Sequence, residues 1–185
     1  MTKKILIFSG SLRKDAYTKQ LGKIIERICD EIHALPTYVE LNDYPLPLLN
    51  QDEVKIGKFP ENVMKFREQL SQNDMWVIVT PEYNGSIPAV LKNVLDWTSR
   101  PASSEDSMNS LYKMRPILII SASPGPFGGI RAGNHLRQIL CAMGAQVFPT
   151  AKPFMSIASL LGEDGSFKES KYRESLQELI KQFTM

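Results

Sequence analysis

The segment Ser9-Gly10-Ser11-Leu12-Arg13-Lys14-Asp15-Ala16-Tyr17-Thr18 sets a glycine, several hydroxyls and a guanidinium just ahead of a stretch with helical periodicity. Free N–H groups at a helix start attract anions, and a guanidinium can fork onto phosphate oxygens. Neither G-x-G-x-x-G nor G-x-x-x-x-G-K-[ST] is present, so a dinucleotide or nucleoside triphosphate loop is not supported. A single phosphomonoester fits better. The competing reading makes Ser11 a helix cap and Arg13 a solvated charge.

A second segment, Thr80-Pro81-Glu82-Tyr83-Asn84-Gly85-Ser86-Ile87-Pro88, packs an aromatic, an amide and a carboxylate between two stiffening prolines. Such a loop can hydrogen-bond a heteroaromatic edge while Tyr83 covers apolar surface. By itself, Asn84-Gly85 is only a turn signal, and Asn84-Gly85-Ser86 also matches a glycosylation sequon. The third segment, Ser121-Ala122-Ser123-Pro124-Gly125-Pro126-Phe127-Gly128-Gly129, has one large side chain, and its glycines would let a planar ligand lie against the backbone.

The elements that must position these segments are legible as apolar runs. Ile5–Phe8, Met75–Val79 and Ile117–Ile120 are continuous, as expected of strands covered on both faces, and each leads into one of the three segments. Weaker strands are expected at Tyr38–Leu41 and Gln146–Phe148. Helical stripes run through Leu21, Ile24, Ile25, Ile28 and Ile32, and through Phe59, Val63, Phe66 and Leu70. Further stripes are Leu91, Val94, Leu95 and Trp97 after Pro88, then Leu136, Ile139, Leu140 and Met143. A closing helix carries Tyr172, Leu176, Leu179, Ile180 and Phe183. Tyr44–Lys58 and Ser99–Ser110 read as connections.

Five strands alternating with five helices imply a parallel, doubly wound α/β sheet. Order 2-1-3-4-5 is favoured over 3-2-1-4-5 at this length. Ligands of such sheets bind at the carboxyl ends of the strands, near the switch in strand order, where the three segments fall.

At 185 residues the chain makes one domain, 1–185, and 43% hydrophobic with 23% charged residues excludes a disordered or fibrous chain. The net charge is +2 with scattered basic residues, so nucleic acid is not an expected partner. No apolar run approaches a signal peptide or a membrane span, and Cys29 and Cys141 form no CxxC; a reducing cytoplasm is expected. Cys29 and His33 stand at helical i, i+4 spacing, whereas His135 and Cys141 do not share a face, so no metal site is expected. A serine hydrolase built on Ser9 or Ser11 lacks a histidine after His135 and a G-x-S-x-G elbow.

Gly10-Ser11-Leu12-Arg13, Pro81 to Pro88, and Ser123-Pro124-Gly125 through Gly128-Gly129-Ile130-Arg131 together resemble the NADPH-dependent FMN reductase family, which includes quinone, azo-dye and chromate reductases. The similarity runs on to Pro153–Phe167, with Glu163-Asp164-Gly165. The resemblance implies a flavodoxin-like three-layer fold holding FMN, with NADPH or NADH as reductant and quinone-like or other small acceptors. It implies Ser11, Arg13, Tyr17 and Thr18 around the phosphate. Pro81, Glu82, Tyr83, Asn84 and Gly85 would border the ring edge, and Ser121, Ser123, Gly125 and Gly128 the far side of the ring. Where the family commonly has Ser and Asn, this chain has Ala16 and Thr18, which would weaken FMN binding or shift reliance to Arg13.

Because the flavin carries the electron chemistry, no catalytic side chain is assigned. The rival reading is a flavodoxin-type electron carrier without NADPH turnover of its own. Such carriers are strongly acidic with a Thr-rich phosphate loop, and this chain is neither. The resemblance also implies a homodimer or homotetramer. Trp97, ending a helix whose stripe already supplies a core face, and the Thr98–Met108 segment beyond it are expected to reach a neighbouring subunit.

Overall fold

A computed structural model describes residues 2–54 and 58–185; the part of the expected Tyr44–Lys58 connection at 55–57 lies outside the described residues. The strands are β1 (Lys4–Ser9), β2 (Leu35–Val39), β3 (Met75–Thr80), β4 (Pro116–Ala122), β5 (Gln146–Val147) and β6 (Lys152–Phe154). The helices are α1 (Tyr17–Glu31), α2 (Glu61–Gln72), α3 (Ala89–Thr98), α4 (Ile130–Ala142), the single turn α5 (Ile157–Leu160) and α6 (Ser170–Thr184). The sheet is parallel, in order β2-β1-β3-β4-β5, with β6 also paired to β4.

The continuous apolar runs have a simple cause. Ile5, Ile7, Val77, Val79, Leu118 and Ile120 face α1 and α6, meeting Ile25, Ile28, Leu176 and Ile180. Their alternates Leu6, Phe8, Trp76, Ile78, Ile117 and Ile119 face α2, α3 and α4, meeting Phe66, Leu70, Leu91, Leu95, Leu136 and Leu140. Both faces are dry, so neither parity of the strand can be polar. Each fully buried Leu or Ile contributes about 1.5–3 kcal/mol.

Three expectations about the strands and helices need correction. The second strand is Leu35–Val39 rather than 38–41. It is the sheet edge and half exposed, so its burial alternates, and Pro36 is tolerated there because an edge strand need not donate on both sides. The fifth strand has two paired residues, although the Phe148 N–H still donates to the Ile117 carbonyl at 2.8 Å. Pro149 has no N–H to continue the ladder, and the chain rejoins β4 as the unexpected β6. Finally, α1 ends at Glu31, so His33, with φ of 61°, lies past the helix and shares no face with Cys29.

The connection after Tyr44 straps across α3: Asn93 donates to the Pro47 carbonyl and accepts from the Leu49 N–H. Trp97 is 2% exposed, its Nε1 donating to the Pro47 carbonyl at 2.7 Å and its ring meeting Phe59 edge-on. It anchors this strap and is not available to a neighbouring subunit. The segment after it is pinned by buried Arg67 of α2, which donates to the Thr98 and Arg100 carbonyls and to Asp106.

Candidate functional site

The ends of β1, β3 and β4 are aligned by register, with Ser9 beside Val79 and Thr80 beside Ser121, so the three expected loops start side by side. The first loop is tied to β3: the Gly10 N–H donates to the Val79 carbonyl at 2.9 Å. It is also tied to the segment just after β2, because Asn42 donates to the Leu12 carbonyl while Lys19 donates to Asn42 and pairs with Glu40.

Inside that loop Ser9, Ser11 and Thr18 are each 2% exposed. Ser9 Oγ donates to Thr18 Oγ1 at 2.7 Å, and accepts from the Ser11 N–H. Ser11 Oγ accepts from the Arg13 N–H rather than capping α1. The residue preceding α1 is Ala16, which supplies no cap, and the first turn holds no acidic side chain. A helix start with uncapped N–H groups, ringed by buried hydroxyls, is built to take an anion. The Arg13 side chain is exposed and makes no hydrogen bond or ion pair within the described residues, so its fork is unengaged there. Tyr17 opens α1, half-buried against the core of the α1 face.

In the second loop Tyr83 and Ser86 close a tight turn through reciprocal backbone bonds of 2.9 and 3.0 Å, with Asn84 and Gly85 both at positive φ. Thr80 Oγ1 donates to the Pro81 carbonyl. Within the described residues the N–H groups of Glu82, Asn84 and Gly85 have no acceptor, so the loop presents a row of donors at its edge. Tyr83 is exposed, as is Asn84. The Glu82 side chain turns away from this edge, to the N-terminus of α4.

In the third loop Ser121 Oγ is buried and donates to the Gly128 carbonyl, and Ser123 Oγ accepts from the Gly125 N–H. The structure gives Gly128 a reason that the sequence did not. A Cβ there would lie 2.8 Å from the Met155 nitrogen, and φ is +58°, so this glycine is required by the chain's own packing. Phe127 is exposed, with the Arg131 guanidinium 4.8 Å from its ring centroid.

All the expected residues therefore stand at the carboxyl ends of β1, β3 and β4: Tyr17 and Thr18 in the first turn of α1, Ser121 near the end of β4, and the others on the loops. Sequence reasoning missed the supports: Ser9 as partner of Thr18, Lys19 and Asn42 behind the first loop, and Arg131 and His135 behind the second. These contacts join residues 9 to 49 positions apart, and no local pattern marks them. Among the described residues no group of three His, Cys, Asp or Glu side chains could hold a metal ion, and no helix is long and apolar enough to cross a membrane.

A parallel sheet of order 2-1-3-4-5, covered by helices on both faces and with three loops side by side at the carboxyl ends of β1, β3 and β4, defines a flavodoxin-like α/β protein. Residues 3–159 match the model of the NADPH-dependent FMN reductases, and the chain belongs to that family. It is 32% identical over 179 residues to a quinone reductase of Pseudomonas putida, covering 97% of this chain and 91% of that one. It is 36% identical to an NAD(P)H-dependent FMN reductase of Pseudomonas aeruginosa, over 96% of this chain and 91% of that one. Among solved structures it is similar to the flavoenzyme NAD(P)H:(acceptor) oxidoreductase FerB of Paracoccus denitrificans, with TM-score 0.80 and 28% identity over 99% and 96% of the two chains.

Proposed function

We propose that the protein is an FMN-dependent NAD(P)H oxidoreductase acting on quinones and other small acceptors. The observation that carries this is the buried Ser9–Thr18 hydroxyl pair at an uncapped helix start, within a chain of the FMN reductase family. The family decides against the electron-carrier alternative. Bound FMN would supply acceptance of a hydride from the nicotinamide and return of two electrons to a quinone, which leaves as hydroquinone after taking up protons.

The chain's own residues bind and orient. Ser11, Thr18 and the N–H groups opening α1 would hold the phosphate, with Arg13 and Tyr17 beside it. The free N–H groups of Glu82, Asn84 and Gly85, with Pro81 next to them in the chain, would donate to the polar edge of the ring. Tyr83 and Asn84 would border the ring from the second loop, and Ser121, Ser123, Gly125 and Gly128 would line its far side. No side chain is needed as acid or base, so none is assigned a catalytic role.

The working form is a homodimer or homotetramer, supported by exposed apolar side chains Leu12, Tyr83 and Phe127, one on each ligand loop, which a second subunit would cover. The compartment is the cytoplasm, in keeping with two cysteines that lie one buried and one exposed, both unpaired. Fluorescence titration of flavin-free protein with FMN tests the assignment: saturation at one FMN per chain supports it, and no binding refutes it.

A further inference from the structure

Glu82 follows the end of β3, yet both of its carboxylate oxygens are engaged 49 and 50 residues further along the chain. Oε2 accepts from the Arg131 N–H at 3.1 Å and, more weakly, from the Ala132 N–H at 3.4 Å. Oε1 accepts from Arg131 Nη1 at 2.9 Å. The side chain is 13% exposed, so little of it remains for a ligand.

The fold shows why α4 takes its cap from a distant loop. The residue before α4 is Gly129, held at φ of +77°, and a Cβ there would come 3.1 Å from Ser121 Cβ. A Ser, Thr or Asp at that position would be strained and crowded, so α4 cannot cap itself. Glu82 supplies the missing acceptor, and a carboxylate at a helix N-terminus also meets the positive end of the helix dipole.

The same contact fixes the second loop. Besides Glu82, His135 Nδ1 and Ser86 Oγ lie 3.1 Å apart, so both ends of the Tyr83–Ser86 turn are tied to successive turns of α4. The Arg131 side chain lies under Gly85 and over Phe127, joining the second loop to the third.

From this geometry we infer that the Glu82 side chain is a positioning group rather than a ligand contact: its carboxylate, held on α4, sets the height of the main-chain donors of residues 82, 84 and 85 against the flavin ring. This rests on the FMN assignment above. The clasp acts on the ring and not on the phosphate, which belongs to the β1 loop.

The test compares FMN with riboflavin, which has the ring but no phosphate, on flavin-free protein. Glu82→Ala should weaken both flavins by a similar factor, roughly tenfold, and the visible band of bound FMN should move back toward that of free FMN. Glu82→Gln keeps an acceptor oxygen for the α4 amides and should recover most of the affinity. Arg13→Ala, the control for the phosphate end, should weaken FMN alone. If Glu82→Ala does not fold, Arg131→Met carries the test. It leaves the two amide bonds in place and should weaken both flavins roughly threefold. Wild-type affinity for both flavins in the folded variants, or loss confined to FMN, overturns the inference. Failure of the unmutated protein to bind either flavin would instead overturn the FMN assignment itself.

Discussion

Ser9 Oγ donates a 2.7 Å hydrogen bond to Thr18 Oγ1, joining the last residue of β1 to the second residue of α1 beneath the anion loop. Accepting from Ser9 leaves the Thr18 proton free to point at a phosphate. Thr18→Val keeps the shape and removes the hydroxyl. It should weaken FMN by about threefold to tenfold, as expected for one neutral hydrogen bond of roughly 0.5–1.5 kcal/mol. Unchanged affinity by fluorescence titration would remove Thr18 from the site.

Among the described residues the Arg13 side chain has no partner, so its removal leaves none of them unsatisfied. Arg13→Ala should leave thermal stability unchanged and weaken FMN by several-fold to about a hundredfold, the range of a charge-assisted bond worth roughly 1.5–3 kcal/mol. Equal affinity for FMN in the variant would show that the phosphate lies elsewhere.

Arg67 presents the opposite case, a guanidinium 7% exposed that satisfies two main-chain carbonyls and Asp106. Burial depresses its pKa, but the neighbouring Asp106 supports the charge. Arg67→Met should cost about 3 kcal/mol in urea unfolding, since it strands those acceptors in the interior. A cost under about 0.5 kcal/mol, the level of an ordinary surface change, would contradict the burial.

How much of this was legible in sequence depended on distance along the chain. β1, β3 and β4 could be read because both faces are covered and the runs are unbroken, and the three loops follow them directly. β2 misread because an edge strand has no such pressure, and β6 because three residues beside β4 carry no periodicity. Glu82 was assigned to the ring by its place in a loop, although its carboxylate points to α4. Trp97 was offered to a neighbour because a stripe on one helix says nothing about a strap arriving from residue 47.

Cys29 is buried and Cys141 exposed. Burial, with help from Asp30 and Glu26, pushes the Cys29 thiol from 9.0 up to about 12. A raised pKa means the folded state holds the proton more tightly. The contribution is therefore complete below pH 9.0 and is lost as pH climbs toward 12. The half-buried phenol of Tyr38 and the buried phenol of Tyr112 are also raised, chiefly by desolvation, and act with the same sign. Urea midpoints should fall as pH rises through this window, and less steeply in Cys29→Ala. A thiol reagent should label Cys141 in the native protein and Cys29 only after unfolding. Rapid native labelling of both, or a flat alkaline profile, would contradict the assigned burial.

With Trp97 committed to the strap, subunit pairing must use other surface, and the exposed apolar side chains of the ligand loops are the proposed contact. Light scattering of the FMN-loaded protein at micromolar concentration should give a dimer or tetramer. A monomeric mass would rule out pairing at the rim of the site.

The central claim is that this chain both binds FMN and passes reducing equivalents from NAD(P)H to a quinone. Anaerobic stopped-flow mixing of the FMN-loaded protein with NADPH or NADH tests it most directly. The visible flavin band should bleach in a single two-electron step and return when a quinone is added, and steady-state lines at several quinone concentrations should run parallel. A band left unchanged by both nicotinamides, in protein that holds FMN tightly, would contradict the account and make the chain an electron carrier.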